Sequence, residues 1–579
     1  MRGRFFTRRE YFLAALAVIL VICQVYLDIS IPDYMSRITD AYLLEDHNTV
    51  VRYGIDMVVC AFGSLILSIL AGFIVSRIAA AVGRNMRKAQ FERVQKFSTE
   101  NISRFSAASL ITRTTNDVTQ IQNFVARGLQ IVIKAPIMAV WATSKIYGTS
   151  MEWTAFTIGC LVMLVAVMFI SLYLAIPRFK RIQWLTDVVN RSTRENLDGL
   201  RVIRAYNAAD YQGAKFEKAN CDLLNNNISA IKFMAPVFPF AHSMMNFITL
   251  GIYWIGAGLV VAANTTVEQK LLFSDMIVFS SYATMVLTAV MMFFGIFRML
   301  PRAMVGYRRI TEVINSEPTI TDGEDTGGTE KGTIEFRNVT FSYPGSGKST
   351  LEDVSFKVEA GKTVAVIGPT GSGKSTIVNL ISRLYDVSEG QVLVDGKDVR
   401  EYDLESLRIR LGYVPQSAVI FSGSVRMNVN YGFGSEGRTD YDVWRALHIA
   451  QAEEFVRALP EGLESHISQH GRNLSGGQKQ RISIARAVCR SPEIYLLDDT
   501  FSALDYKTDK ELRRALREET AGSTVFIVAQ RIGTIKDADE IIVLDGGRVV
   551  GRGTHSELMG SCPLYADIAK SQLTQEELQ

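Results

Sequence analysis

The sequence predicts an all-α transmembrane domain of six long helices followed by an α/β P-loop domain. Three observations carry this. Six apolar stretches, each long enough to cross a bilayer, lie before residue 301. A polar, glycine-rich segment, Thr-Asp-Gly-Glu-Asp-Thr-Gly-Gly at 321–328, then breaks the pattern. Beyond it, Gly368-Pro-Thr-Gly-Ser-Gly373-Lys374-Ser375 follows an apolar, strand-like run and opens a helical one.

The chain has 579 residues, enough for two domains of ordinary size, and its apolar fraction of 48% is concentrated in the first half. A net charge of +3 gives no basic footprint for nucleic acid. Cys23, Cys60, Cys160, Cys221, Cys489 and Cys562 show no metal-ligand spacing, which points to structural or incidental roles in a reducing compartment.

The candidate spans are residues 11–31, 55–82, 129–147, 153–176, 234–263 and 273–300. The first is preceded by basic residues and has no small-residue cleavage site, so it reads as a retained span. Orientation follows the cations. Arg2, Arg4, Arg8 and Arg9 precede the first span; Arg84, Arg87, Lys88 and Arg93 follow the second; Arg178, Lys180 and Arg181 follow the fourth; Arg298, Arg302, Arg308 and Arg309 follow the sixth. The connection after the first span instead carries Asp28, Asp33, Asp40, Glu45 and Asp46. Both termini are therefore expected in the cytosol.

The connections between spans two and three, and four and five, keep helical periodicity (Ile182, Leu185, Val189) and so read as helical extensions below the membrane. Arg77, Lys134, His242 and Asn246 interrupt apolar runs and are expected to face a cavity or another helix. Arg77 equally suits a position below the membrane, and Lys134 can snorkel. His242 has no second ligand at helical spacing, which argues against a metal.

In the second half, strand-like alternation begins at Thr333-Ile-Glu-Phe-Arg337. Gly345-Ser-Gly-Lys-Ser349 imitates a phosphate loop, but the first glycine of the full pattern is replaced by Ser342. The true loop follows Thr363-Val-Ala-Val-Ile367. Gly368, Pro369, Thr370, Gly371, Ser372, Gly373, Lys374, Ser375 and Thr376 are the candidates to enclose nucleotide phosphates with backbone N–H groups and the positive end of a helix. Lys374 would reach the β- and γ-phosphates and the Ser375 hydroxyl would ligate Mg²⁺. The apolar run Ile494-Tyr-Leu-Leu497 ends in Asp498, a second candidate Mg²⁺ ligand.

Leu474-Ser475-Gly476-Gly477-Gln478, beside such a loop, resembles the signature of ATP-binding cassette (ABC) ATPases. Together with the six spans it makes the chain resemble a multidrug-type ABC exporter half-transporter over essentially its full length. The resemblance implies residues 1–315 as a transmembrane domain with cytosolic helical extensions, 316–332 as a linker and 333–579 as the ATP-binding cassette domain. It implies that Tyr343 stacks on adenine, that Gln416 senses the γ-phosphate and ligates Mg²⁺, and that Ser502-Ala-Leu-Asp505 lies at a dimer contact. Ser475, Gly476, Gly477 and Gln478 would hold the γ-phosphate of ATP on the opposite subunit, so a dimer is required. Segments 103–109 and 205–211 would couple membrane helices to the ATPase.

Two residues depart from the family pattern. After Asp498 the family usually has glutamate, the general base; here it is Asp499. In Phe526-Ile-Val-Ala-Gln530 the family normally has histidine at Gln530, and an amide can neither be cationic nor shuttle a proton. Gln469 is a softer change where related exporters often carry glutamate. With Asp499, Gln530 and Gln416 as its catalytic set, the chain resembles the degenerate-site subunit of a heterodimer. Its implied partner is a second half-transporter with intact glutamate and histidine. The expected activity is ATP-driven export of small amphipathic or hydrophobic compounds across a cell membrane, in contact with lipid, most simply the bacterial inner membrane. A homodimeric lipid or peptide exporter and a non-transporting regulatory subunit are the alternatives.

Overall fold

Six helices long and apolar enough to cross a membrane occur in the computed structural model, which describes residues 5–43, 45–263, 265–432 and 434–572. They are Arg8–Leu43, His47–Gln95, Ala107–Ile146, Met151–Asp198, Ala209–Ala262 and Thr266–Asn315. Arg2, Arg4 and the Arg298 side chain, counted above as orienting cations, lie outside the described residues. Each helix outruns its apolar stretch. At about 1.5 Å per residue, the 49-residue helix His47–Gln95 is roughly 74 Å long, against a hydrocarbon core of about 30 Å. Pro32, Pro136, Pro177 and Pro301 sit inside helices, as membrane packing tolerates.

The first helix corrects one expectation. Asp28, Asp33 and Asp40 lie on it rather than in an acidic loop, because the helix continues to Leu43. Asp28 pairs with Lys134 at 2.9 Å and accepts the Ser64 hydroxyl; Asp33 pairs with Lys145 at 2.7 Å and accepts the Tyr282 hydroxyl at 2.6 Å. Lys134 thus faces another helix, whereas Arg77, His242 and Asn246 are exposed on their helices. Lower down, a five-residue π-helical stretch, Arg113–Asp117, interrupts the third span's extension. Arg113 reaches Glu312 at 2.8 Å, and Arg309 returns to Asp117 at 3.3 Å.

The chain divides into two compact units: Met1–Gln95 with Ala107–Ser316, and Lys96–Ser106 with Glu317–Gln579. The turn between the second and third spans therefore belongs to the second unit. There Ser98 caps Thr99–Phe105 and meets Thr319 at 2.6 Å, and the Asn101 amide donates to the Glu317 carbonyl at 3.2 Å. The contact begins a few residues before the expected 103–109 segment, because it is built on that cap. Segment 205–211 lies in the first unit, with Tyr206 and Tyr211 exposed.

The second unit contains two larger sheets. One is four-stranded and antiparallel, in the order Leu351–Val358, Ile334–Phe341, Glu389–Val394, Lys397–Asp398. The other has six strands, in the order Arg548–Gly553, Glu540–Asp545, Thr363–Ile367, Thr524–Val528, Ile494–Asp498, Leu411–Val414. Only its first pair is antiparallel. Its central strands are buried on both faces, which explains their continuous apolar runs. The imitation loop at 345–349 falls in the hairpin between Ile334–Phe341 and Leu351–Val358, and no helix follows it.

Candidate functional site

Parallel strands deliver their loops to one edge, and here four adjacent strands do so. Thr363–Ile367 leads into 368–373, Ile494–Asp498 ends at the two aspartates, Thr524–Val528 leads to Gln530, and Leu411–Val414 leads to Gln416. Ligands of open α/β sheets bind beyond such carboxyl ends.

The phosphate loop is fixed by close approach. A Cβ on Gly368 would overlap the Leu544 carbonyl oxygen, and Gly373 holds φ +96° at the N-cap of Lys374–Ile381. Lys374 folds its ammonium onto the Gly368 and Pro369 carbonyls, at 2.8 and 2.7 Å. Burial pulls this amine below its ordinary pKa, against the nearby charges of Asp499 and Asp498. Ser372 is buried and its hydroxyl has no hydrogen-bond partner among the described residues, so a polar acceptor is left to be met at the loop.

The Ser375 hydroxyl donates to Asp498 at 2.9 Å. Burial pushes the Asp498 carboxyl above its ordinary range, the Ser375 bond lowering it and Asp499 raising it. Oxygen donors and a buried acid awaiting a counter-charge suit a hard divalent cation such as Mg²⁺. Asp499 sits at φ +47°, a left-handed conformation that aspartate tolerates better than most side chains. Its Oδ2 accepts Nε2 of Gln530 at 2.7 Å and Nε2 of Gln416 at 3.2 Å.

Tyr343 lies alongside the phosphate-loop helix, against its first two turns. Its hydroxyl lies 3.1 Å from that of Thr376 and accepts the Asn379 amide at 3.4 Å; Phe341 and Tyr385 pack edge-on against its ring. The remaining candidates are separate. Ser475 caps Gly476–Cys489 reciprocally with Gln478, on an exposed helix end. Gly477 lies against the Ala503 carbonyl, so a Cβ there would come within 3.3 Å of it. Among the described residues no hydrogen bond joins Ser475–Gln478 to the phosphate loop or the aspartates.

The sequence reading missed Gln480. Buried, it donates to the Pro415 carbonyl at 3.3 Å and ties the signature helix to the loop carrying Gln416. Its signal was there: a polar side chain on the apolar face of an amphipathic helix, which burial obliges to find a partner.

Both units of the chain are similar to known proteins. The ABC transporter model matches residues 351–502, and the ABC transporter transmembrane region model matches 14–299. An uncharacterized ABC transporter ATP-binding protein of Mycobacterium tuberculosis is 38% identical over 97% of this chain and 96% of its own. An ATP-dependent lipid A-core flippase of Aromatoleum aromaticum is 30% identical over 88% of this chain and 83% of its own. A bacterial Atm1-family ABC exporter solved with ATP bound superposes with a TM-score of 0.78 at 24% identity, covering 98% of this chain and 99% of that one. The chain therefore belongs to the ABC transporter family: it is an exporter half-transporter, an ATP-hydrolysing translocase with its transmembrane domain fused to its nucleotide-binding domain.

Proposed function

We propose that this chain is the degenerate-site half of a heterodimeric exporter of small amphipathic or hydrophobic compounds. It binds ATP and hydrolyses it slowly. The observation that carries the reading is the constellation at Asp499. A water attacking the γ-phosphate must hand its proton to a base. Oδ2 of Asp499 already accepts two amide N–H groups, from Gln530 and Gln416. It is also drawn back by one methylene relative to glutamate, about 1.5 Å. Gln530 donates a hydrogen bond to a phosphate oxygen without relaying a proton. Misplacement of about 1 Å alone costs on the order of 10²-fold in rate.

Binding is spared by the same geometry. The 368–376 loop supplies backbone N–H groups, Lys374 supplies a cation, and Tyr343 supplies an aromatic face for adenine. Ser375, Asp498 and the Gln416 amide oxygen would hold Mg²⁺, which neutralises charge on the phosphate oxygens. Ser475, Gly476, Gly477 and Gln478 complete the competent site of the partner, a half-transporter carrying glutamate and histidine at the two altered positions. Both termini and the ATPase lie on the cytosolic face of the cell membrane in this reading.

The test is ATP binding and turnover by the purified chain alone. ATP binding with turnover about 10²-fold below that of ordinary ABC exporters is expected; comparable turnover overturns the reading. A second reading, a homodimeric lipid exporter, has in its favour that two relatives at 28% and 30% identity are named lipid A-core flippases. It requires the chain alone to form an active dimer, so the same measurement separates the two.

A further inference from the structure

We infer that Gln572, in the last turn of the helix Pro563–Gln572, is a positioning residue for the ATP site: it fixes the backbone on which Gln530 is mounted. This rests on the reading of Gln530 as the amide facing the γ-phosphate. Gln530 lies just past the strand Thr524–Val528, where sheet hydrogen bonding ends with the Ala529 N–H on the Val366 carbonyl. Beyond it, Ile532–Ile535 is a single turn whose N-cap, Arg531, makes no side-chain cap. Such a segment is poorly held by its own local bonds.

Gln572 supplies what is missing. Its Nε2 donates to the Gln530 carbonyl at 2.9 Å, and its Oε1 accepts the Ile532 N–H at 2.8 Å. One amide thus grips the backbone on both sides of Arg531, in the manner of a strand neighbour. The grip comes from a rigid support. Tyr565 and Ala569 of the same helix are fully buried, and the Tyr565 hydroxyl lies 2.7 Å from His555 Nδ1. Arg513, paired with Asp509, donates to the Gly533 carbonyl at 2.9 Å. The Gln530 side chain, 2.7 Å from Asp499, is aimed by a backbone that the end of the chain's last described helix holds in place.

The experiment is a double-mutant cycle on the full-length chain with Gln572→Ala, Gln530→Ala and both. It reads equilibrium ATP binding, single-turnover phosphate release and hydrogen exchange of the Ile532 amide. The expected result for Gln572→Ala is a fall in phosphate release of about tenfold or more with ATP affinity unchanged, as for a catalytic group displaced by a fraction of an ångström. The Ile532 amide should lose protection, and the effect on release should vanish in the Gln530→Ala background. Gln572→Glu keeps an acceptor for the Ile532 N–H but sets a carboxylate against the Gln530 carbonyl, so protection should persist while release falls. If Gln530→Ala slows release and Gln572→Ala does not, the inference is overturned and the reading of Gln530 stands. If Gln572→Ala is as damaging without Gln530 as with it, or lowers ATP affinity in step with melting temperature, the role is structural and the inference fails. If neither variant changes release, both the inference and the reading of Gln530 fail.

Discussion

Converting the site to the family's usual pair, Asp499→Glu with Gln530→His, should raise hydrolysis only when both changes are made together. Asp499 Oδ2 and Gln530 Nε2 are 2.7 Å apart, already a short N–H···O bond. Adding a methylene advances the carboxylate by about 1.5 Å, into space the Gln530 amide occupies. Asp499→Glu alone must swing aside, away from the water it should activate. It also places a longer side chain at φ +47°, where a residue other than Gly, Asn or Asp loses on the order of 1 kcal/mol. Gln530→His alone brings a group able to be cationic but leaves the base short. Together, base and imidazole reach the phosphate, and about 10²-fold in single-turnover hydrolysis is recoverable. The assay is phosphate release at saturating Mg-ATP from wild type, both single variants and the double, with release of labelled ATP from each site in the assembled complex. Full gain from Asp499→Glu alone, with Gln530→His adding nothing, refutes the steric argument. Unchanged occlusion time and unchanged transport per ATP in the double variant would show that slow hydrolysis at this site does not set the pace of the cycle.

Ser475→Ala removes a reciprocal helix cap and about 1 kcal/mol of local stability, and Gly477→Ala crowds the Ala503 carbonyl. Either should reduce ATPase of the assembled heterodimer far more than Asp499→Ala, and equal losses would contradict the assignment of the signature to the partner's site. Asp28→Asn or Lys134→Met should lower the yield of folded protein by stranding one charge of a partly buried pair, whereas Asp28→Lys with Lys134→Asp should restore it; a yield unmoved by the single changes would show the pair to be idle. Burial, helped by Lys536, holds His555 below its ordinary pKa of 6.5. Its contribution to stability is therefore present above that value and lost as pH falls through it. Melting temperature should drop between pH 7.5 and 5.5 more in wild type than in His555→Phe, and parallel drops would exclude His555 as the cause.

The fold was legible because its signals are local. Twenty apolar residues in a row need no partner to announce a span, and a buried parallel strand followed by Gly368–Ser375 carries its own geometry. What escaped depends on distance in the chain. Asp28 and Lys134 are 106 residues apart, and neither the acid nor the amine declares the other. Asp28, Asp33 and Asp40 read as part of the acidic connection after the first span, yet carboxylates costly in lipid are kept on the helix by pairing, Asp28 with Lys134 and Asp33 with Lys145. The turn between the second and third spans meets the second unit from Ser98 onward, ahead of the expected 103–109, because its anchor is a cap, Ser98 with Asn101, that binds residues 317 and 319. The partners of Gln480 and Gln572 escaped for the same reason: each serves backbone groups that only the tertiary fold brings near.

The two departures at the ATP site are better understood as one. Taken separately, a shortened carboxylate and a lost imidazole are two independent defects. In the folded chain they meet at 2.7 Å, an aspartate accepting and a glutamine donating, with Gln416 as a second donor on the same oxygen. A carboxylate needs donors when it is partly buried, and two neutral amides supply them without adding a charge. Glutamate at 499 would crowd Gln530. The residues form a mutually fitted set that satisfies its own hydrogen bonds, and a satisfied base has little reason to release them for a proton. On the proposed reading, slow hydrolysis would be a built property of the site rather than the residue of decay, and that reading predicts that the two positions change together or not at all.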